Sequence, residues 1–169
     1  MTTIFDTSVM NPLGLAPPRV VKFRAINRTA RTSALGEVAK LDIVASDGDV
    51  TANTTGFGGS GDPFSNLVPV AAGDSDAGAN RVILAVSLES IADNATGWWA
   101  LKGFIQIMAG GTVGTVGTGL SPADGGDVYE MDTAAADDVV FAVNNEALSN
   151  GVVGWCFFDG TAAFGGKVT

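Results

Sequence analysis

Residues 97–132 read Gly-Trp-Trp-Ala-Leu-Lys-Gly-Phe-Ile-Gln-Ile-Met-Ala (97–109), then a glycine- and threonine-rich run, then Gly-Gly-Asp-Val-Tyr-Glu-Met-Asp (125–132). In the first part Trp99, Leu101, Ile105 and Ile107 fall at odd positions, which puts them on one face of a strand. Trp98 and Trp99 are neighbours and point to opposite faces, so at most one is exposed on a given face and core packing is expected for the other. The stretch predicts two strands joined by a long glycine-rich turn. No set of side chains able to do covalent or acid–base chemistry sits in or beside it.

Working outward, the same alternation recurs. Upstream, Val21, Phe23 and Ala25 alternate with Lys22, Arg24 and Ile26, which predicts a half-buried strand with basic residues on its outer face. Residues 36–44 place Ala39, Leu41 and Ile43 on one side, with Lys40 and Asp42 on the other. Asp47-Gly48-Asp49 then supplies a tight turn, because glycine accepts positive φ. Residues 51–66 form a long glycine- and serine-rich loop, and 67–71 a short strand. Residues 81–91 carry Val82, Leu84, Val86 and Leu88 at period two; their Val/Ile content favours strand over the helical stripe that Ile83, Leu84, Ser87 and Leu88 also fit. Downstream, strands are expected at 128–131, 139–143 and 152–158, with 161–169 as a last edge strand. The glycine-threonine run at 111–119 is a local triplet echo, too short and too proline-poor for collagen. About nine short strands with frequent turn signals predict an all-β fold, a β-sandwich or β-barrel. Residues 1–19, punctuated by Pro12, Pro17 and Pro18, read as an extended N-terminal arm, and 20–169 as one β-rich domain with no further boundary.

Composition narrows the function classes. The chain of 169 residues is long enough for one sizeable core. It is 46% hydrophobic but only 16% charged, with 23 glycines, so its surface is smooth and turn-rich. Net charge is −9, unevenly spread. Through Lys40, six basic residues face Asp6 and Glu37, a balance of +4; the remainder carries three basic residues against sixteen acids, or −13. An acidic body repels phosphate backbones, so no nucleic acid partner is expected, while the basic front end can dock on something acidic. The single cysteine, Cys156, excludes an intrachain disulfide and reads as a buried small hydrophobe. The N-terminus has neither a basic start nor an apolar run, and the charge-free window 103–123 carries too many glycines to span a bilayer. A soluble, cytoplasmically made protein with no membrane partner is expected.

No motif carries a reaction. Without histidine the usual Ser-His and Cys-His systems and His-based zinc sites are removed, and one cysteine cannot hold a thiolate cluster. Carboxylates are abundant, but they fall almost entirely in glycine-flanked turns, where solvation accounts for them. Asp6-Thr7-Ser8 has the aspartic-protease triplet but lies in the arm, where an Asx turn explains it. Asp74-Ser75-Asp76-Ala77-Gly78 opens like a calcium loop but has Ala85 where a bidentate glutamate is needed, so a solvated turn is expected there, as at 47–49 and 124–127. The glycine runs at 56–61 and 111–119 lack the Lys-Ser/Thr of a phosphate loop. No catalytic, cofactor-binding or metal residue is assigned, and no cofactor is expected.

The segments Gly-Glu-Val-Ala-Lys-Leu-Asp-Ile-Val-Ala-Ser-Asp-Gly-Asp-Val-Thr (36–51) and Gly-Gly-Asp-Val-Tyr-Glu-Met-Asp (125–132), with the similar cadence of 160–168, resemble small virion proteins of tailed phages, in which a turn feeds a short strand. What the resemblance implies is a capsid decoration, or cement, protein: an all-β module that acts as a homotrimer on the outer surface of the virion and clamps neighbouring major capsid protein subunits. It would be synthesised in the host cytoplasm and would have no enzymatic activity. On that reading the arm residues Ile4, Phe5, Leu13 and Leu15 lie along the capsid or a neighbouring subunit, and Arg19, Lys22, Arg24, Arg28 and Arg31 meet acidic shell surface. The alternative is a receptor- or glycan-binding head of a phage fibre, spike or tail protein, with Trp98 or Trp99 and the 51–66 loop as the contact.

Overall fold

The computed structural model describes residues 19–41, 66–70, 83–123, 129–136 and 138–161. Among them every regular element is a strand: β1 (Val21–Asn27), β2 (Val38–Leu41), β3 (Asn66–Val68), β4 (Leu84–Ser87), β5 (Thr96–Met108), β6 (Gly119–Pro122), β7 (Met131–Thr133), β8 (Ala142–Asn144) and β9 (Val153–Asp159). They form one sheet in the order β1-β3-β2-β4-β5-β9-β8-β6-β7, and β1 pairs a second time, with β5. The expected all-β class is what the chain adopts.

The extra pairing closes the sheet. β1 lies antiparallel to the first half of β5, from Val21 against Lys102 to Ile26 against Thr96, and parallel to β3. β3 pairs β2, β2 pairs β4, and β4 returns to β5 at Trp99 and Ala100. These five strands make a closed ring. The second half of β5, from Lys102 to Met108, pairs β9, and the series runs on through β8 and β6 to β7. β7 comes back through a parallel bridge between Met131 and Ala109, one residue past β5, so a second ring closes as well. The 13-residue β5 serves both rings.

The two rings are copies of one plan. Among the described residues, the parallel contact in each joins the first strand to the third: Asn27 with Leu67 in one, Ala109 with Met131 in the other. Matching backbone bonds follow. Asn94 N donates to Asn27 O at 2.7 Å, as Gly151 N does to Ala109 O at 2.7 Å. Arg28 N donates to Leu67 O, and Gly110 N to Met131 O, both at 2.8 Å. Gly36 N reaches Ser87 O at 2.9 Å, and Gly117 N reaches Asn144 O at 3.0 Å; both glycines sit at φ +84°, where a side chain is strained. In the hairpin loops the counterparts lie 57 positions apart, with Val86, Glu89, Gly97, Trp98 and Gly103 answered by Val143, Glu146, Gly154, Trp155 and Gly160. Each glutamate caps its loop: Glu89 Oε1 accepts from Trp98 N at 2.9 Å, and Glu146 Oε1 from Trp155 N at 2.7 Å.

Where the copies differ, they differ in compensating ways. Inside the first ring the fully buried Trp99 is surrounded by Ala25, Ala39 and Ala85, with Leu41, Leu67 and Ile91. In the second ring the equivalent of Trp99 is Cys156, and the positions of Ala25 and Ala39 are taken by Ile107 and Leu120, with Met131, Ala142 and Leu148 completing the set. One bulky side chain among small walls has been exchanged for a small one among bulky walls. The filled volume is the quantity that close packing constrains.

Several sequence-based expectations change. The glycine-rich segment after residue 109 is more than a turn, since it contains β6, which pairs with both β7 and β8. Strand boundaries shift, to 131–133 for β7 and 142–144 for β8. Val21, expected on the inner face of β1, is 50% exposed, because the register slips between Val21 and Lys22 and turns the end of the strand outward. Both faces of β4 are buried, so its alternation does not separate core from solvent. Three carboxylates expected to be solvated are buried and bonded instead: Glu37 by Arg31 and Ala34 N, Asp138 by Ser121 and Ala135 N, Asp159 by Lys102 and Thr161. The longer repeat, invisible in the triplet echo at 111–119, is the organising feature of the chain. The arm, the 51–65 segment, the acidic turns at 47–49, 74–78 and 124–127, and the tail from 162 lie outside the described residues.

Candidate interaction surface

Two outward faces carry the exposed aromatic residues, one on each ring, at equivalent places. On the first ring Arg24 stands directly opposite Trp98 across the β1–β5 pair, and Lys22 is one step along the same face. Trp98 is 38% exposed. Lys22 Nζ lies 4.7 Å from its ring centroid and Arg24 Cζ 5.8 Å. Cations over an indole face are attracted by the ring quadrupole, worth about 0.5–1 kcal/mol at exposed sites. The pairs therefore place an exposed aromatic platform beside two positive charges.

On the second ring Trp155 takes the place of Trp98, 37% exposed, and Phe157 beside it is 42% exposed. Across the β5–β9 pair Gln106 opposes Trp155 and Phe104 opposes Phe157. Phe104 stacks on Trp155 with ring centroids 5.0 Å apart and planes 17° from parallel, and it meets Phe157 at 4.8 Å and 41°. Counting from the shared bonds, Lys22 and Arg24 of the first ring become Phe104 and Gln106 of the second. The same surface has thus been made cationic on one ring and uncharged on the other. At its border Lys102 Nζ is bonded to the buried Asp159 carboxylate. Burial alone would raise the Asp159 carboxyl, but the hydrogen bonds from Lys102 and Thr161 and the lysine charge hold it below the usual carboxylate value.

The residues proposed for contact from sequence separate into groups. Ile4, Phe5, Leu13 and Leu15 lie outside the described residues. Arg19 is exposed and leads directly into β1. Lys22 and Arg24 share the Trp98 face. Arg28 reaches the Asn94 side-chain oxygen on the adjacent loop. Arg31 is engaged within the chain: its guanidinium pairs with Glu37 at 2.7 Å and stacks over Tyr129 at 4.1 Å. Of the two adjacent tryptophans Trp98 is the surface one, and Trp99 is wholly buried with its Nε1 unbonded. The Phe104–Trp155–Phe157 face was missed from sequence. Its signal was the alternation in β9, where Trp155 and Phe157 interleave with the buried Cys156 and Phe158.

Among the described residues no group of three or more Cys, Asp or Glu is placed to hold a metal ion, and no helix is long and apolar enough to cross a membrane. The Cys156 thiol, buried and close to Glu146, is pushed up from 9.0 to about 12 and remains protonated.

No protein-family model and no curated protein matches the chain. Among solved structures it is similar to the head fiber gp8.5 N base of bacteriophage phi29, at 15% identity over 85% of this chain and 97% of that one, with a TM-score of 0.47.

Proposed function

We propose that this chain is a structural phage virion protein, without enzymatic activity, that binds the outer surface of a capsid as a homotrimer and stabilises the shell by bridging major capsid protein subunits. The observation that carries this reading is the Lys22–Trp98–Arg24 face: two cations and an exposed indole on one side of the first ring, in a chain whose residues after Lys40 sum to −13. Such a patch is complementary to an acidic protein surface, which repels the acidic remainder of the chain, and this orients docking. Arg19 and Arg28 extend it, and the arm with Ile4, Phe5, Leu13 and Leu15 adds extended contacts to a neighbouring subunit.

Co-sedimentation with empty capsids tests it. Lys22→Glu with Arg24→Glu is expected to weaken binding by at least about 100-fold, on the scale of like charges placed opposite a complementary patch. Binding of the native chain should fall as salt is raised. Removing residues 1–18 is expected to abolish binding while leaving a folded protein. Undiminished binding of the double charge reversal would overturn the reading. Exposure of Trp98 also supports a second reading, a glycan-binding fibre, spike or tail head; binding on a glycan array that is lost in Trp98→Ala would favour it.

A further inference from the structure

The two charges on the Trp98 face stand on a strand that is paired along one side only. β1 lies against β5 from Val21 to Ile26, but its other side meets β3 only at Ile26 and Asn27. Among the described residues nothing pairs with residues 22–25 on that side. The bonds at the end of the strand fix which way its backbone groups point. Arg28 N donates to Leu67 O on the β3 side and Asn27 N to Ala95 O on the β5 side, at 2.8 and 2.9 Å. Backbone groups along a strand alternate between its two neighbours, so those of Lys22 and Arg24 point, like those of Arg28, to the β3 side. The residues that carry the cations are therefore the ones whose N–H and C=O groups line the unpaired edge, and both are exposed.

From this we infer that the edge of β1 takes an added strand: an extended acidic segment of the partner protein, with carboxylates at alternate positions facing Lys22 and Arg24. An open strand edge is a template for another chain, in which main-chain bonds supply affinity and alternate side chains supply specificity. Directly opposed side chains of neighbouring strands lie about 5 Å apart, within reach of opposite charges. Charge selects the occupant. Lys22 and Arg24 lie over the exposed Trp98 ring, and Arg19 and Arg28 flank the strand. The Glu89 carboxylate lies away from the edge, because it accepts from Trp98 N on the β4 side of β5, where Leu88 N also bonds Trp98 O. The counterpart positions on the second ring, Phe104 and Gln106, offer an acidic strand no cation. The inference rests on the proposed capsid role only for the protein that supplies the segment; the edge and its charges stand without it.

Amide hydrogen exchange followed by NMR on the full chain provides the test, with a short synthetic peptide in which Glu alternates with Val and Thr, at up to about 1 mM to reach weak contacts. In the free chain the Lys22 and Arg24 amides are expected to exchange fast. The peptide is expected to slow both by about 10-fold or more, as main-chain pairing requires. The same peptide N-methylated at every amide keeps its charges, lacks the donors, and is expected to give no protection. Lys22→Glu with Arg24→Glu is expected to lose protection by the Glu peptide and gain it from a peptide with Lys in place of Glu. Slow exchange of both amides in the free chain overturns the inference, since the edge is then already covered. Equal binding of the N-methylated peptide overturns it too, as does protection by the Glu peptide that survives the charge reversal. If the charge reversal weakens capsid binding while no peptide protects the two amides, the side chains alone dock; the inference fails and the capsid reading stands. If the Glu peptide protects both amides while the native chain does not co-sediment with capsids, the inference stands and the capsid reading falls.

Discussion

Gly160 is the position where one methyl group should do most damage. It follows β9 at the point where that strand meets the start of β4 alongside β5. Its N–H donates to Leu101 O and its carbonyl accepts from Leu84 N, both at 2.9 Å. A Cβ built on Gly160 would overlap the Leu84 carbonyl oxygen, and would stand 2.9 Å from its carbon and 3.1 Å from Leu101 O. These obstacles are backbone, so no rotamer change relieves them. The chain must move by about an ångström, which forfeits one or both hydrogen bonds at roughly 1 kcal/mol each and strands buried polar groups at about 1–3 kcal/mol. Overpacking adds about 1–3 kcal/mol. Gly160→Ala is therefore expected to cost roughly 3–5 kcal/mol, a fall of about 10 °C or more in Tm for a chain of this size. Gly114→Ala is the control: nothing lies within 4 Å of its Cβ and its φ is unremarkable, so the change should stay within about 0.5 kcal/mol. Gly117→Ala separates strain from collision, because it has open space but φ +84°, and should cost about 1 kcal/mol. Urea unfolding of the three variants checks the series. A Gly160→Ala loss below about 1 kcal/mol would refute the claim that the rings are joined by close backbone contact there.

Three other substitutions probe the buried polar chemistry. Trp99→Phe should be nearly neutral, because about 1–3 kcal/mol of unsatisfied Nε1–H is removed together with a similar amount of packing, whereas Trp99→Ala should cost about 3–5 kcal/mol; denaturant midpoints decide, and equal losses in both variants would contradict it. Asp159 has its carboxyl held below the usual value, so its contribution to stability is complete above pH 4 or so and is lost as pH falls through the depressed value. Asp159→Asn should be less stable than the native chain at neutral pH and should flatten the decline of stability in acid; an unchanged acid slope would count against the Lys102 pairing. With its thiol pushed up to about 12, Cys156 carries on the order of 10³ times less thiolate than an ordinary cysteine at neutral pH. Labelling by a thiol reagent at pH 8 should then follow global unfolding, and rapid labelling of the native protein would show the site to be open.

What could be read from the chain in advance follows the physics of alternation. β5 and β9 were legible because one face of each is buried and the other is not, so Trp99, Ile105, Ile107, Cys156 and Phe158 stand out at period two. β6 was not legible. Gly119-Leu-Ser-Pro has almost no strand-forming character and becomes a strand because β8 and β7 flank it and Leu120 fills the second ring. Arg31 was indistinguishable from Arg28 in sequence, and only tertiary placement beside Glu37 and Tyr129 withdraws it from the surface. The duplication was hidden by its own compensation. When Trp99 gives way to Cys156 while Ala25 and Ala39 give way to Ile107 and Leu120, the core positions keep their volume and lose their likeness. What remains recognisable is the part fixed by backbone geometry: the Gly-Trp pairs at 97–98 and 154–155, the glutamate nine residues before each tryptophan, and the left-handed residues Asn94 and Gly151 that shape the loops.

That division between what the rings share and what they do not bears on how the molecule works. Positions that set the turns and the caps are held in common, although the first face carries a register shift between Val21 and Lys22 that the second lacks. The side chains of the two outer faces differ in kind: Lys22 and Arg24 against Phe104 and Gln106. The spacing between the faces is set by β5. Trp98 and Gln106, the partner of Trp155, are eight positions apart along that strand, roughly 26 Å at the rise of an extended chain. A continuous strand paired on both sides does not bend as a linker would, so the two faces stand at a fixed distance from each other. Two weak contacts held this way act as one stronger contact when the partner sites match the spacing, and neither gains when they do not. On the proposed virion role, a cationic face and an aromatic face on one rigid strand would fit a repeated surface, where the spacing between sites is as constant as the sites themselves.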